Sequence, residues 1–284
     1  MKLYPKITIV TPSFNQAEFL ERTILSVINQ DYLNLEYIIV DGGSTDGSID
    51  IIKKYESHLA YWISESDNGQ SHAINKGFKK ATGDIYNWLN SDDILYPGVL
   101  KIIADYYQRT PQIHVYFGDR IIINCKDDII GINEGPSFKN WESKYYLKIP
   151  QEATFFTRDI WEKVDGLDEE LHYTMDVDLW RRFLKHSRFK HIPYFIGAYR
   201  EHDLSKSVLN FGANKKFDNA KYERSLYKER YAYKWMSSPR LKRLFFMMNQ
   251  MRLAYEKSSK KVRLEKERIH TIAHKVEKIT EVVS

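Results

Sequence analysis

The chain has 284 residues, of which 43% are hydrophobic and 29% are charged, and its net charge is +5. This balance is typical of a globular protein and excludes a chain that is disordered throughout. The longest apolar runs hold about five residues, whereas a membrane-spanning helix needs about 20. The single cysteine, Cys125, excludes an intrachain disulfide and a cysteine-built zinc site. We expect a chain without a signal peptide that works in the reducing cytoplasm.

The positive charge is concentrated in one part of the chain. Residues 234–284 contain 13 Lys and Arg against 5 Asp and Glu, a net charge of +8, which leaves −3 for residues 1–233. A nucleic-acid-binding surface would need basic groups spread over the fold to neutralise phosphates. We therefore expect no nucleic-acid partner, and the mildly acidic body suits a site that binds cations.

Strand-like and helix-like segments alternate over residues 6–109. Runs rich in β-branched residues predict strands, and apolar residues with a helical period predict helices. The predicted strands are 6–11, 35–41, 60–64 and 84–89, and the predicted helices are 17–30, 49–55, 70–81 and 97–109. This alternation predicts an α/β fold with a mostly parallel sheet flanked by helices.

The pattern changes after residue 113. Short strands that can pair in antiparallel fashion are predicted at 113–117, 120–124 and 129–133, and a last strand is predicted at 189–198. Helices are predicted at 159–164, at 178–185 and from 215 onward.

A polar cluster follows each predicted strand of the first half. In an open parallel sheet, ligands bind beyond the carboxyl ends of the strands, which lie along one edge. The clusters are residues 11–15, 41–47, 65–70 and 90–93. One such cluster alone fits an ordinary polar turn, but four at one edge predict a binding site.

Asp92 and Asp93 in the last cluster are adjacent carboxylates. They repel each other unless a cation or hydrogen-bond donors lie between them. Hard oxygen ligands with few protein contacts suit Mg²⁺ or Mn²⁺ shared with substrate phosphates. The alternative is a loop that caps the helix beginning near Pro97, since Asp and Asn favour such positions.

Asp41 ends the second predicted strand and offers a hydrogen-bond acceptor. A carboxylate can accept from N3–H of uracil or thymine, or from N1–H of guanine, whereas cytosine has no donor at that position. The alternative is an Asx turn before Gly42 and Gly43.

The second half adds two acids and a histidine. Asp176 and Asp178 lie near a predicted helix start and are two positions apart, so they point in different directions. One can face a site while the other caps the helix, and capping by both is the alternative. His202 follows the last strand, and residues 205–207, Ser-Lys-Ser, suit phosphate oxygens.

In this order and spacing, the segments resemble glycosyltransferase family 2, nucleotide-sugar transferases of the GT-A fold. The resemblance covers about residues 6–207 and is carried by Thr11-Pro12-Ser13-Phe14-Asn15, Val40-Asp41-Gly42-Gly43-Ser44-Thr45-Asp46-Gly47-Ser48, Asn75-Lys76-Gly77 with Ala81-Thr82-Gly83-Asp84, Asn90-Ser91-Asp92-Asp93 and Met175-Asp176-Val177-Asp178-Leu179-Trp180. It implies a Rossmann-like GT-A catalytic domain over residues 1–207. It also implies transfer of a sugar from a nucleotide-diphosphate sugar, with UDP-sugars favoured, to a glycan or lipid-linked acceptor in the synthesis of polysaccharides or cell-envelope glycans.

The resemblance implies a nucleotide site at the first three polar clusters. Thr11 and Asp41 match contacts to the base, and Asp67 matches a further contact near the base. Pro12 and Asn15 belong to the same predicted nucleotide site.

The resemblance also implies catalytic and metal-binding roles. Asp92 and Asp93 match the pair that holds the ribose and a divalent metal, Mn²⁺ or Mg²⁺, on the diphosphate. His202 matches a late histidine of the metal or diphosphate site. Asp176 matches the catalytic base of an inverting transfer, which takes the proton of the attacking hydroxyl.

Three positions depart from the family pattern. Asn90 replaces a frequent Asp, which leaves fewer charges on the metal. Met175 replaces a frequent Glu, which alters acceptor contacts, and Ile74 replaces a frequent Arg, which removes a phosphate or base contact.

The acceptor side carries a weaker signal. Gln151 and Glu152 lie in a segment that resembles a family segment near the acceptor. Trp180 belongs to a set of aromatic residues that can stack on sugar rings, although most aromatic residues are in the core.

The end of the chain predicts a long helix. From Leu241 onward, apolar residues recur at heptad positions beside basic ones, so residues 239–284 predict a basic amphipathic or coiled-coil-like helix, joined by a helical linker at 208–238. An anionic membrane surface, a partner helix and the chain's own catalytic domain are the candidate partners. Phe245 and Phe246 beside the stripe favour the membrane, which predicts a cytoplasmic protein peripheral at the inner face of the cell membrane.

Two other functions compete with this interpretation. A nucleotidyltransferase would begin with a Gly-rich loop containing Arg and Lys, whereas this chain has Pro12-Ser13-Phe14 there. A catalytically degenerate nucleotide-sugar-binding or scaffold protein, acting through its C-terminal helix, is the alternative that Met175 and Asn90 leave open.

Overall fold

The computed structural model describes residues 4–133, 135, 149–203 and 205. The predicted linker at 208–238 and the predicted helix at 239–284 lie outside these residues. Within the described part, no helix combines the length and the apolar character needed to cross a membrane.

The first half has the predicted alternation. Its elements are β1 (Ile7–Ser13), α1 (Ala17–Ile28), β2 (Leu35–Asp41), α2 (Ser48–Lys54), a 3₁₀ turn (Glu56–His58), β3 (Tyr61–Ser64), α3 (Gln70–Phe78) and β4 (Ile85–Trp88). The four strands are parallel and lie in the order β3-β2-β1-β4. The parallel sheet predicted for this half is therefore confirmed.

The second half continues the same sheet. Its elements are β5 (Ile94–Leu95), α4 (Val99–Arg109), β6 (Val115–Ile123), β7 (Ile129–Asn133), β8 (Thr154–Thr157), α5 (Arg158–Lys163), α6 (Met175–Leu184) and β9 (Phe189–Arg200). The sheet order continues from β4 through β8, β6 and β9 to β5, and β7 pairs with β6. Beyond β4 the pairings are mixed. β8 is antiparallel to β4 and β6, β5 is antiparallel to β9, and β7 is antiparallel to β6, whereas β6 and β9 are parallel.

The prediction of two strands at 113–117 and 120–124 is wrong, because β6 is one continuous strand. Gly118 lies inside β6, where a β-carbon would clash with Ile196 Cγ1. The register between β6 and β9 shifts at this point, so the glycine accommodates a bulge and a close approach to β9.

The sheet is buried on both faces. Alternating residues of β1 and β2 divide between two apolar clusters, so that Val10 packs with α3, α5 and α6, and Ile9 packs with α1, α2 and α4. Burial on both faces explains why these strands are apolar throughout.

Strand direction gathers the loops that carry the polar clusters. β8 runs antiparallel to both β4 and β6, and β9 runs parallel to β6. β6 and β9 therefore run in the same direction as β4, and their carboxyl ends lie at the same edge of the sheet as those of β1 to β4. This carboxyl edge collects residues from 13 to 205 of the chain.

Candidate active site

The loops after β1 and β2 are joined by side-chain hydrogen bonds. The Asn15 amide donates to Ser44 Oγ at 2.8 Å, and Asn15 Oδ1 accepts from the Thr45 amide at 2.9 Å. Asp46 caps the same junction by accepting from the Ala17 amide at 2.9 Å. Asn15, predicted in the nucleotide site, thus lies at the carboxyl edge and holds the two loops together.

Asp41 is fully buried and its carboxylate is saturated by its own surroundings. Oδ2 accepts from the Gly43 amide, the Ser44 amide and Ser64 Oγ at 3.0, 2.8 and 2.7 Å, and Oδ1 accepts from Ser44 Oγ at 2.5 Å. In this structure Asp41 forms the Asx turn that was the alternative, which shapes the loop, and its base-reading role stays a prediction.

Thr11 and Pro12 are also internal. Thr11 has no exposed surface, and its Oγ1 lies 3.0 Å from Tyr37 Oη in the neighbouring strand. Pro12 is buried beside it. The hydroxyl of Thr11 is engaged by Tyr37 in this structure, and its base contact stays a prediction.

Phe14 and Asp67 lie beside Gly42, the residue that follows Asp41 at the end of β2. A β-carbon on Gly42 would lie 3.0 Å from Asp67 Oδ2 and 3.2 Å from Phe14 Cδ2. Phe14 is 60% exposed, and Asp67 Oδ1 accepts from the Gly69 amide at 2.8 Å. An exposed ring and a carboxylate thus meet where Gly42 has no side chain.

The Asp92-Asp93 loop follows β4 and is anchored from several elements. Asp93 is buried, and its two oxygens accept from the Arg200 amide at 3.0 Å and from Asn90 Nδ2 at 3.1 Å. Thr23 Oγ1 in α1 donates to the carbonyls of Ser91 and Asp93. Burial raises the pKa of Asp93, and the negative charges of Asp92 and Glu152 raise this pKa further.

His202 reaches this loop from beyond β9. Its Nε2 lies 3.0 Å from Asp92 Oδ2, and its ring packs against Phe19 with a centroid separation of 4.6 Å. The structure therefore brings together two residues 110 positions apart. His202 contacts Asp92 rather than Asp93, with which the sequence had grouped it.

Amide side chains connect the two parts of the site. Gln70 Nε2 donates to Asn90 Oδ1 at 2.7 Å, and Asn90 Nδ2 donates to Gln151 Oε1 at 3.1 Å. Gln151 Nε2 in turn donates to the Trp88 carbonyl at 2.6 Å. Asn90, a departure from the family pattern, is thus the centre of a network that links α3 to the Asp92-Asp93 loop.

Glu152 and Asp176 form a second acidic group with Arg120. Glu152 is buried, its Oε2 lies 3.7 Å from Arg120 Nη1, and its Oε1 has no hydrogen-bond partner. Burial raises the pKa of Glu152; Arg120 lowers it and Asp176 raises it. Burial likewise raises the pKa of Asp176, while Val177 and Arg120 act in the opposite direction. The charge of Asp176 thus raises the pKa of Glu152, and the charge of Glu152 raises the pKa of Asp93.

Asp176 and Asp178 separate as the sequence predicted, although α6 begins three residues earlier. Asp178 is buried and pairs with Arg182 at 2.7 Å. Asp176 is half-buried, and its Oδ1 accepts from the Val177 amide at 2.8 Å.

Trp180 and Met175 lie in the core. Trp180 has no exposed surface and stacks on Trp88 with a centroid separation of 5.5 Å. The predicted sugar-stacking role of Trp180 is therefore corrected, because its ring has no free face. Met175 is buried, and its Sδ accepts a hydrogen bond from Ser71 Oγ at 2.9 Å.

Asn75-Lys76-Gly77 also has an internal role. Asn75 Nδ2 donates to the Leu167 carbonyl at 2.9 Å and its Oδ1 accepts from the Leu167 amide at 3.0 Å. A β-carbon on Gly77 would lie 2.4 Å from Val10 Cγ1. Ile74, the third departure, is fully buried in the same core.

The donor set fits a divalent cation in part. The raised pKa of Asp93 marks a place where a positive charge would relieve repulsion between carboxylates. In the described ranges, however, no group of three or more His, Cys, Asp or Glu side chains is arranged to hold a metal. A cation on Asp92 and Asp93 would therefore take its remaining ligands from substrate phosphates and water, as Mg²⁺ commonly does.

Four residues of this edge were not singled out by the sequence: Phe14, Gln70, Arg120 and Arg200. Phe14, Gln70 and Arg200 stand inside or beside motifs that the sequence marked, so their motif position was the available signal. No motif marked Arg120, because it lies in β6, which the sequence analysis predicted as two separate strands.

Known proteins share both the sequence pattern and the fold. The pattern described as "Glycosyl transferase family 2" matches residues 8–161. An uncharacterized glycosyltransferase of Rickettsia typhi is 28% identical over 72% of this chain and 68% of its own length. A chondroitin synthase of Escherichia coli is 25% identical over 68% of this chain, which spans 28% of that protein.

Two solved structures have the same architecture. S. aureus TarS 1–349 in complex with UDP-GlcNAc has a TM-score of 0.58 at 18% identity, covering 69% of this chain and 59% of that one. A mannosyltransferase of Pyrobaculum calidifontis, in complex with GDP-Man and Mn²⁺, has a TM-score of 0.54 at 18% identity, covering 70% and 57%. These likenesses confirm the GT-A fold. Together with the pattern over residues 8–161, they show that the chain belongs to glycosyl transferase family 2 and is a glycosyltransferase.

Proposed function

We propose that this glycosyltransferase moves a sugar from a UDP-sugar to a glycan or lipid-linked acceptor, with inversion at the anomeric carbon. The observation that carries the proposal is the hydrogen bond between Gln70 and Asn90. It joins the loop of Asp67 to the loop of Asp92 and Asp93, so base, ribose and diphosphate can lie along one continuous edge. The UDP-GlcNAc complex of TarS, a protein of the same fold, supports the choice of donor class.

The base subsite is assigned to Phe14, Gly42 and Asp67. The exposed Phe14 ring offers a face for a nucleobase, and Asp67 Oδ2 lies close to it across Gly42. A carboxylate there accepts from N3–H of uracil, which cytosine lacks.

The diphosphate subsite is assigned to Asp92, Asp93 and His202. Asp92 and Asp93 would hold Mn²⁺ or Mg²⁺, which as a Lewis acid stabilises the charge that develops on the departing diphosphate. His202 orients Asp92 through its hydrogen bond of 3.0 Å.

Asp176 is the general base of the proposal. The acceptor hydroxyl oxygen bonds to the anomeric carbon, the bond from that carbon to the diphosphate oxygen breaks, and the hydroxyl proton passes to the Asp176 carboxylate. Burial raises the pKa of Asp176, which makes it a stronger base than an exposed aspartate. The positive charge of Arg120 acts in the opposite direction and lowers the pKa of Asp176.

We place the protein in polysaccharide or cell-envelope glycan synthesis, in the cytoplasm and peripheral at the inner face of the membrane. The support is the basic sequence of 239–284 and the chondroitin synthase relative. Flotation with anionic liposomes, with and without residues 239–284, tests the membrane part. Equal flotation of both forms contradicts it.

The donor site is tested by a thermal-shift panel of UDP, TDP, GDP and CDP with and without Mn²⁺. We expect a metal-dependent rise in Tm with UDP or TDP that exceeds the rise with CDP. Asp93→Ala should abolish the rise, whereas Asp31→Ala, in an exposed pair with Lys101, should retain it. No shift with any nucleotide contradicts the proposed site.

A further inference from the structure

Arg200 is a fully buried guanidinium at the carboxyl end of β9. A buried arginine requires compensating charge and hydrogen bonds. Its Nε donates to the Asp92 carbonyl at 2.8 Å, its Nη1 donates to the Asn124 carbonyl at 3.0 Å, and it pairs with Asp127. Its own backbone amide donates to Asp93 Oδ1 at 3.0 Å. One residue thus contacts both members of the Asp92-Asp93 pair.

Arg22 in α1 resembles Arg200 in most of its surroundings. It pairs with the same Asp127 at 2.8 Å and donates to the Cys125 carbonyl at 3.0 Å. Both guanidinium groups lie over the Phe19 ring, at 5.3 Å for Arg22 and 5.1 Å for Arg200. The two arginines differ in burial, since the Arg22 side chain is 33% exposed and Arg200 has no exposed surface, and in that Arg200 also holds the loop of Asp92.

The Asp92-Asp93 loop needs such an anchor. Asp92 and Asp93 are adjacent carboxylates, and like charges this close repel each other unless a cation or hydrogen-bond donors hold them. A cationic donor fixed behind the loop opposes that repulsion without occupying the face that meets the nucleotide.

We propose that Arg200 is a positioning residue that holds Asp92 and Asp93 in the geometry for binding the metal and nucleotide, and that the turn at 124–128 fixes Arg200 through Asp127. The assignment of Asp92 and Asp93 rests on the function proposed above. The planar fork of arginine bonds Asp92, Asn124 and Asp127 at once, which the single nitrogen of lysine cannot do.

The test compares Arg200→Lys with Arg22→Lys. Each variant keeps the positive charge and replaces one planar guanidinium group by an ammonium group. Hydrogen–deuterium exchange of peptides covering residues 89–95 reports the loop without any ligand. We expect exchange in this segment to be about tenfold faster in Arg200→Lys, and the Mn²⁺ affinity of the UDP complex to fall by about 10- to 100-fold, as for residues that orient metal ligands. Arg22→Lys should change either quantity by no more than about twofold, since it lacks the contact to Asp92.

Equal exchange rates in the two variants would overturn the positioning role, whatever the nucleotides show. Failure of the wild-type protein to bind UDP with Mn²⁺ would contradict the proposed function, while the exchange comparison would still decide the role of Arg200. If Arg200→Lys does not fold, Asp127→Asn weakens the anchor of the Arg200 guanidinium together with the pair that Asp127 forms with Arg22, and Arg22→Lys measures the second effect alone. Asp127→Asn should accelerate exchange at 89–95 severalfold, and unchanged exchange there overturns the proposal.

Discussion

The two edges of the sheet differ in how fully hydrogen bonds and basic groups compensate the charge of their carboxylates. At the amino edge, Glu36 accepts from Thr8 Oγ1 at 2.6 Å, from the Thr82 amide at 2.7 Å and from Thr82 Oγ1 at 2.5 Å. Burial alone would raise the pKa of Glu36, but these bonds and nearby Lys6 hold it below its ordinary value. Glu36 therefore contributes to stability in its charged form.

At the carboxyl edge, Asp41 and Asp46 are hydrogen-bonded in a similar way, but three other acids lack such compensation. Asp93, Glu152 and Asp176 all have raised pKa values because burial outweighs their hydrogen bonds and Arg120. One oxygen of Glu152 has no partner at all within the described structure. The contrast indicates that the amino edge stabilises the fold, whereas the carboxyl edge keeps unfavourable charge for a ligand or reaction to use.

The largest effect is expected from Asp176→Asn. If Asp176 is the general base, turnover should fall by about 10² to 10⁴, while UDP affinity stays within about twofold because the residue is assigned to the acceptor side. Initial-rate assays with a UDP-sugar, paired with calorimetry of UDP binding, measure both. Normal turnover in Asp176→Asn would remove the residue from the mechanism.

Stability should respond with opposite signs at the two edges. Glu36→Gln leaves the buried Thr8 hydroxyl and the exposed donors of Thr82 poorly paired, so the free energy of unfolding at pH 7 should fall by about 0.5–1.5 kcal/mol. Asp93→Asn removes a charge with a raised pKa, so its unfolding free energy should stay equal or rise. Urea unfolding of both variants measures this, and a loss of stability in Asp93→Asn would contradict the contrast between the edges.

The pH dependence of the Glu36 effect follows from the sign of its shift. Its folded-state pKa is lowered, so its contribution is present above the ordinary glutamate value and is lost as the pH falls through the lowered one. The stability difference between wild type and Glu36→Gln should therefore shrink on acidification below about pH 4. A constant difference between pH 7 and pH 3 would contradict the assignment.

Gly42→Ala should weaken nucleotide binding moderately. The new methyl group would meet Asp67 Oδ2 at 3.0 Å and Phe14 Cδ2 at 3.2 Å, so these two groups must shift by a few tenths of an ångström. We expect UDP affinity to fall by about tenfold, equivalent to about 1.4 kcal/mol. Gly131→Ala, whose β-carbon would lie 3.4 Å or more from its nearest neighbour, the Ile122 side chain, is the matched control on the same assay.

The smallest effect is expected in the pH profile of Arg120→Gln. Arg120 lowers the pKa of both Asp176 and Glu152, so its removal should raise the pKa of the base and move the acidic limb of kcat/KM to higher pH. Arg120→Lys keeps the charge and should leave the limb nearly in place. A limb that moves to lower pH would contradict the electrostatic link.

The sequence was sufficient for the first half of the fold and for bringing the four polar clusters to one edge of the sheet. Apolar strands with polar ends require no long-range information, and β2 has the predicted bounds of residues 35–41. The motif did not reveal that Asp41 serves its own loop, because a carboxylate after a strand has the same letters whether it faces a ligand or backbone amides. Arg120 and Arg200 were missed since their partners lie 32 residues or more away in the chain.

The contacts of β9 also have a consequence for folding. Arg200 and His202 meet Asp93 and Asp92 across 107 and 110 residues of sequence, whereas the pairing of β1 with β2 and that of β2 with β3 join residues only 28 and 23 positions apart. Non-local pairings close large loops and form late when nothing local assists them. We expect the parallel half to form first and β9 to dock afterwards, so recovery of UDP binding after refolding should lag behind recovery of secondary structure. Catalytic competence would then report the final step of folding, and a chain caught before that step would be nearly native in shape and inactive.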